Sequence, residues 1–244
     1  MSEPGSPAVR VRLLGGFELR VADAVVEIKP GPQRLLALVA LTGTAVDRTF
    51  TACQLWPEAS RERAQANLRS TLWRLRDVPA TLVTASKTHL RLAPAVWVDV
   101  RQGLAELQRV DPEATAGALR CEATLLADLL PDWYDDWLET ERERIRQLRL
   151  AALERCAEGM LAAGRSAEGI QLGLRAAALE PLRESPHRLV MRCHLAEGNV
   201  VEAVRQYQRF ASLLRRELDT APSALMTRLL GAVRPAAAGG GWAS

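Results

Sequence analysis

No apolar run in the 244 residues approaches the roughly 20 that an α-helix needs to cross a bilayer, so no membrane span is expected. Met1 to Pro7 has no basic stretch followed by an apolar one, so no secretory signal is expected and the chain is assigned to the cytoplasm. Cysteine is scarce. Cys53, Cys121, Cys156 and Cys193 stand far apart with no CxxC pair, as in a reduced chain with buried thiols. Histidine is scarcer still. His187, Cys193 and His194 have no fourth ligand near them, so ordinary packing explains them better than a metal, and no metal or cofactor is expected. A nucleophilic Ser or Cys needs His and a carboxylate in reach, and His89, His187 and His194 fall into no such order. An enzyme is therefore not expected. No GxxxxGK[ST] loop is present to cradle a phosphate, so nucleotide control is not expected either.

What is present is basic, and unevenly so. Lysine occurs only as Lys29 and Lys87, and every other basic residue is Arg. The formal net charge of +3 conceals an asymmetry. Residues 1–98 carry 13 Lys+Arg against 8 Asp+Glu, a surplus of +5, whereas residues 99–244 carry 19 against 21, a balance of −2. A basic first part points to a polyanionic partner for that part.

The first part alternates strand and helix signals. VRVRLLGGFELRV (9–21) alternates apolar and polar residues around Gly15-Gly16 and predicts a hairpin, with a third short strand over Val25–Ile28. Pro30 and Pro32 open a buried helix through Leu41 that Gly43 stops. Thr49 or Thr51 is the expected cap of a second helix ending near Trp56-Pro57. Ser60 caps a third, spanning 61–76, and Pro79 confirms its stop. LVTASKTHLRL (82–92) reads as two strands around Ser86-Lys87, with a further strand over VWVDV (96–100). Strands, three helices and a hairpin in that order make a winged helix-turn-helix, whose last helix enters a DNA major groove.

Beyond Val100 the signals are helical, broken at Asp128–Pro131 and resumed in a long helix over about 135–163. Asp132, Asp135 and Asp136 suit capping and the positive end of the helix dipole. A shift of 34 residues superposes Leu161-Ala162 on Leu195-Ala196, Gly164 on Gly198, Glu168 on Glu202, Ala177 on Ala211 and Leu179 on Leu213. That is the tetratricopeptide period, in which small residues let paired helices approach; a plain helical bundle is the alternative. The expected fold class is thus mostly α with a small β component. A winged-helix domain over 9–98 is followed by an all-α, TPR-like domain over 99–233, with disordered ends at 1–8 and 234–244.

A helical wheel sorts the 61–76 segment. Ala64, Leu68, Leu72 and Leu75 form the inward stripe, while Arg63, Ala66, Ser70, Trp73 and Arg74 lie outward with Asn67 at the edge. Arg pairs bidentately with guanine and Asn with adenine, so Arg63, Asn67, Ser70 and Arg74 are candidate base readers. Arg69 and Arg76 flank this face and suit phosphates, and Lys87 at the hairpin tip suits the minor groove or its backbone. Trp73 fits a sugar, the underside of the wing or a protein partner. The plain alternative for such a helix is a solvated charged face.

Several blocks resemble the Streptomyces antibiotic regulatory protein family: LLGGFEL (13–19), PQRLLALVAL (32–41), QLWPEASRERAQANLRSTLWRLR (54–76), VWVDV (96–100), LLPDWYDDWLETERERIRQLRL (129–150) and residues 179–218. The second half is similar to the bacterial transcriptional activator domain. The resemblance implies an OmpR-type winged helix and a transcriptional activator, often of antibiotic or other secondary-metabolite gene clusters. It implies paired protomers, or a homodimer, on direct repeats in double-stranded promoter DNA, and recruitment of RNA polymerase through its sigma factor. It carries groove contacts onto Asn67, Ser70, Thr71 and Arg74 and a phosphate contact onto Arg76, although the wheel turns Thr71 toward the core. The wing departs from the family in lacking a Gly near its tip, and neither an ATPase nor a receiver domain is seen. A protein-interaction scaffold with a degenerate winged helix is the competing reading.

Overall fold

The computed structural model describes residues 8–109 and 127–231. These fall into two compact units. One runs to Glu106 and takes in the later segment that ends at Ile145; the other takes in the residues that follow Glu106 and those from Arg146 onward. The expected disordered ends lie outside the described residues, apart from Ala8.

In the first unit β1 (Val9–Arg12) and β2 (Glu18–Val21) form the predicted hairpin, with Val9 facing Val21 and Arg12 facing Glu18. The third strand is displaced. β3 is Ala24–Val25, reached through Ala22 and Asp23, both left-handed at φ 47° and 65°, a two-residue turn that matches the strand twist. Lys29, extended before Pro30, then ends the β signal and opens α1 (Pro30–Thr42), which Gly43 closes at φ 78°. Of α1, every residue from Leu35 to Leu41 is buried, as its apolar run predicts. β7 (Val96–Val98) joins β1 in parallel, giving the sheet order β3-β2-β1-β7. It is shorter than expected because Asp99 already starts α4 (Asp99–Arg109). The Asp99 carboxylate accepts from the Leu13 and Leu14 amides at 2.9 Å each and from Val100 at 2.7 Å. Burial pushes its pKa up, against the pull of those amides.

The helix-turn-helix carries two corrections. A strand unseen in the sequence, β4 (Val46–Asp47), pairs with β6 (His89–Leu92), which also pairs with β5 (Val83–Ala85). The cap of α2 (Arg48–Leu55) is Asp47, whose carboxylate accepts from Phe50 N at 2.9 Å; neither Thr49 nor Thr51 fills that place. Thr51 instead turns its hydroxyl back to Asp47 O. Ser60 caps α3 (Arg61–Arg74) as predicted, and one 3₁₀ turn (Leu75–Asp77) carries the helix to its end.

The break at Asp128–Pro131 returns to this unit. Gly15 N donates to Asp128 O at 2.7 Å and Leu130 N to Leu13 O at 2.9 Å. Leu129, Leu130, Leu138 and Ile145 all join the core of the first unit. Arg142 gathers the carbonyls of Leu129, Leu130 and Trp133. Asp135 forms an ion pair with Arg34, and Asp136 is the first residue of α5 (Asp136–Ala162).

The second unit contains the rest of α5, then α6 (Ser166–Leu179), α7 (Glu184–Ala196), α8 (Val200–Leu218) and α9 (Ala224–Gly231). The 34-residue shift is physical. Gly164 and Gly198 sit at φ 74° and 75°, and each turn closes with the same pair of bonds, Gly164 N to Leu161 O and Arg165 N to Met160 O, Gly198 N to Leu195 O and Asn199 N to His194 O. α6 packs closely on α7, where a Cβ on Gly173 would lie 2.7 Å from Val190 Cγ2. His187 is committed to packing: Nε2 donates to Pro181 O at 3.0 Å, Nδ1 accepts from the Gln206 amide at 2.8 Å, and the ring stacks on Phe210. Burial holds its pKa below the ordinary value, against the Pro181 bond and the charge of Glu184. Cys193 is buried, and its thiol is pushed up to about 11. Among the described residues no helix is long and apolar enough to cross a membrane.

Candidate nucleic-acid interface

The third helix is amphipathic by its spacing, and the fold uses that spacing directly. Ala64, Leu68, Thr71 and Leu75 fall at i, i+4, i+7 and i+11 and are 0%, 1%, 3% and 6% exposed. Thr71 thus belongs to the inward stripe, as the wheel indicates, and its hydroxyl lies beside Gly31 of α1. A groove contact there is corrected: no buried side chain reaches a base. Leu72 takes the margin and is half-buried. Gln65 ties α3 to α2 through Thr49 Oγ1 at 3.4 Å.

The opposite face is free. Arg63, Arg69, Ser70, Trp73, Arg74 and Arg76 are exposed, and Asn67 is half-buried at the edge. Trp73 is 64% exposed, which excludes a packed position under the wing. Among the described residues no ion pair involves Arg61, Arg63, Arg69, Arg74 or Arg76. The second unit behaves oppositely: Arg146, Arg165, Arg183, Arg188 and Arg205 each meet a glutamate. Four unpaired guanidiniums with one acid, Glu62, on α3, and Arg76 beside Asp77 in the 3₁₀ turn that follows, create a positive field that no ion pair among the described residues neutralises.

The wing closes without glycine. Val83 faces Leu92 and Ala85 faces Leu90, and Ser86 Oγ accepts from the amides of Thr88 and His89 at 3.3 and 2.9 Å. A hydroxyl thereby supplies the turn's acceptor, and no residue from Ser86 to His89 has a positive φ. Lys87 is left exposed at the tip.

Arg48, which the sequence reading passed over, anchors the wing to α2. Its amide donates to Thr88 O at 2.8 Å and its guanidinium to Ser86 O at 3.2 Å. Two hollows meet along Arg48 and Arg69. One, of about 450 Å³, also takes in Lys87 and Thr49; the other, of about 810 Å³, takes in Trp73 and Arg76 and runs beside β5. Arg48 starts a short helix directly after the two-residue strand β4, so only its bonds to the wing mark it, and no periodicity could have pointed to it.

Strands, a helix-turn-helix with a bonded wing, and a helical unit with a repeated hairpin define a winged helix joined to a helical domain. The chain belongs to the bacterial transcriptional activator domain family, which matches residues 97–234. The likeness to the Streptomyces antibiotic regulatory proteins seen in the sequence blocks is supported by that match. Among solved structures the chain is similar to Mycobacterium tuberculosis EmbR, determined in complex with a low-affinity phosphopeptide, at a TM-score of 0.75 and 19% identity over 93% of this chain. At that identity the likeness shows the fold. The chain spans 65% of the EmbR chain, less than two thirds of it. No curated protein matches the sequence.

Proposed function

We propose that the chain is a cytoplasmic, sequence-specific DNA-binding transcriptional activator, with residues 9–98 recognising DNA and residues 99–233 making protomer and polymerase contacts. The observation that carries this reading is the unpaired arginine face of α3 beside a wing with an exposed Lys87. Arg63, Asn67, Ser70 and Arg74 offer the donors and acceptors that base edges require, while Arg69, Arg76, Arg48 and Lys87 suit phosphates. The family supports binding of paired protomers to direct repeats, recruitment of RNA polymerase through its sigma factor, and control of a secondary-metabolite gene cluster. The reading assigns no reaction and no cofactor to the chain.

The test is binding to duplexes selected from a random pool by the full chain. Arg74→Ala is expected to weaken binding to the selected duplex by about 1–3 kcal/mol and to relax preference at one position. Affinity is expected to fall with salt, with a slope set by the phosphates neutralised. Selection of no duplex at low salt rejects the proposal in favour of a protein-interaction scaffold. Parental affinity and preference in Arg74→Ala would show that the reading face is assigned wrongly.

A further inference from the structure

Base reading leaves Trp73 without a task. Its indole offers one donor and a broad apolar face, and it stands on the exposed side of α3 with Arg69 four residues before it and Arg76 three after. Residues at those spacings are neighbours on a helix surface, so a cation lies to either side of the ring. The two hollows between α3, α2 and the wing share Arg48 and Arg69, and Lys87 lines one of them while Trp73 and Arg76 line the other. Among the described residues Asp47 is the one acid lining them, and its carboxylate already accepts from Phe50 N.

A strand of duplex DNA presents a matching alternation, charged phosphates separated by apolar deoxyribose faces. In an intact duplex the bases show only their edges, so a flat ring has no base to stack on unless one is unpaired. The flat apolar surface within reach is the sugar. We infer that Trp73 packs against a deoxyribose of the strand lying between α3 and the wing, with Arg69 and Arg76 on the phosphates to either side. The contact holds the duplex without reading its sequence. This rests on the DNA-binding reading above.

The experiment measures affinity for two duplexes, one selected by the full chain and one scrambled duplex of equal length and composition. Trp73→Ala is expected to weaken both by about tenfold, since an aromatic ring loses its buried partner in each. Trp73→Phe recovers most of that loss. The salt slope stays at the parental value in both Trp73 variants, whereas Arg76→Ala lowers it by about one on both duplexes. Thermal unfolding serves as the control that these exposed substitutions leave the fold intact. Loss on the selected duplex alone, or a changed selected sequence, would make Trp73 a base reader and overturn the inference. Unchanged affinity for both duplexes would also overturn it and leave the ring to a protein partner. If the parent binds no duplex at all, the DNA-binding reading itself has failed; if the parent binds and only the Trp73 pattern departs, that reading stands.

Discussion

Ser86 performs at the wing tip the task that a glycine usually performs there. No residue of this turn has φ > 0, and the Ser86 hydroxyl accepts from two of its backbone amides, those of Thr88 and His89. Ser86→Ala is expected to cost about 1 kcal/mol, the size of one net hydrogen bond, and to speed amide exchange at Thr88 and His89 while the core amides of α1 stay protected. Unaltered exchange at those two amides would mean that the turn is held by its strands alone. The absence of glycine in this wing was visible in the sequence; the replacement was not, because a serine in a polar stretch carries no mark of what it bonds. Thr71 illustrates the reverse. Its place on the inward stripe followed from helical spacing, and the structure agrees with the spacing over the family pattern.

At the scale of elements, the long periodic helices were legible and the shortest strands were not. α1, α3 and α5 carry proline, serine or glycine punctuation and several turns of pattern. β4 has two residues, too few for any alternation, and exists only because β6 offers it a ladder. The helical unit depends on close approach. Gly173 faces Val190, which is fully buried and stiff at its branched Cβ. Gly173→Ala would gain about 1 kcal/mol of helix propensity, yet the 2.7 Å overlap forces repacking. A net loss of about 1–2 kcal/mol is expected in urea unfolding, because overpacking typically exceeds the propensity gain. Combining it with Val190→Ala should cost less than the sum of the two single changes, since the truncated side chain makes room. Strict additivity would show that the two helices are not in limiting contact there.

At the scale of the whole molecule, the chain returns to its first unit after leaving it. Leu129, Leu130, Leu138 and Ile145 are each at most 2% exposed and belong to the core built by α1, α3 and the two sheets. Each such side chain contributes about 1.5–3 kcal/mol when fully buried, so their joint removal rivals the stability of a small domain. A fragment of residues 1–106 is therefore expected to unfold without cooperativity and to bind a hydrophobic dye, and a fragment of residues 1–145 to regain a sharp transition. Equal midpoints for the two fragments would show that the later segment is dispensable. A sequence division at residue 98 and a packing unit ending at Ile145 answer different questions, since the first follows composition and the second follows buried surface.

Local physics written in the sequence was sufficient for the helix periods, the caps at Ser60 and Gly43, the repeated glycine turns and the concentration of arginine on one helix. Each of these depends on residues within a few positions of one another. The tertiary structure alone decided which arginines remain without acids, that β7 lies parallel to β1, that Arg48 ties α2 to the wing, and that Leu129 and Leu130 complete a core begun more than a hundred residues earlier. Those outcomes depend on partners far apart in the chain, and only burial and hydrogen-bond satisfaction in three dimensions select them. The basic surplus of the first part was therefore readable at once, but its character as an unneutralised surface became evident only when the fold put the acids elsewhere.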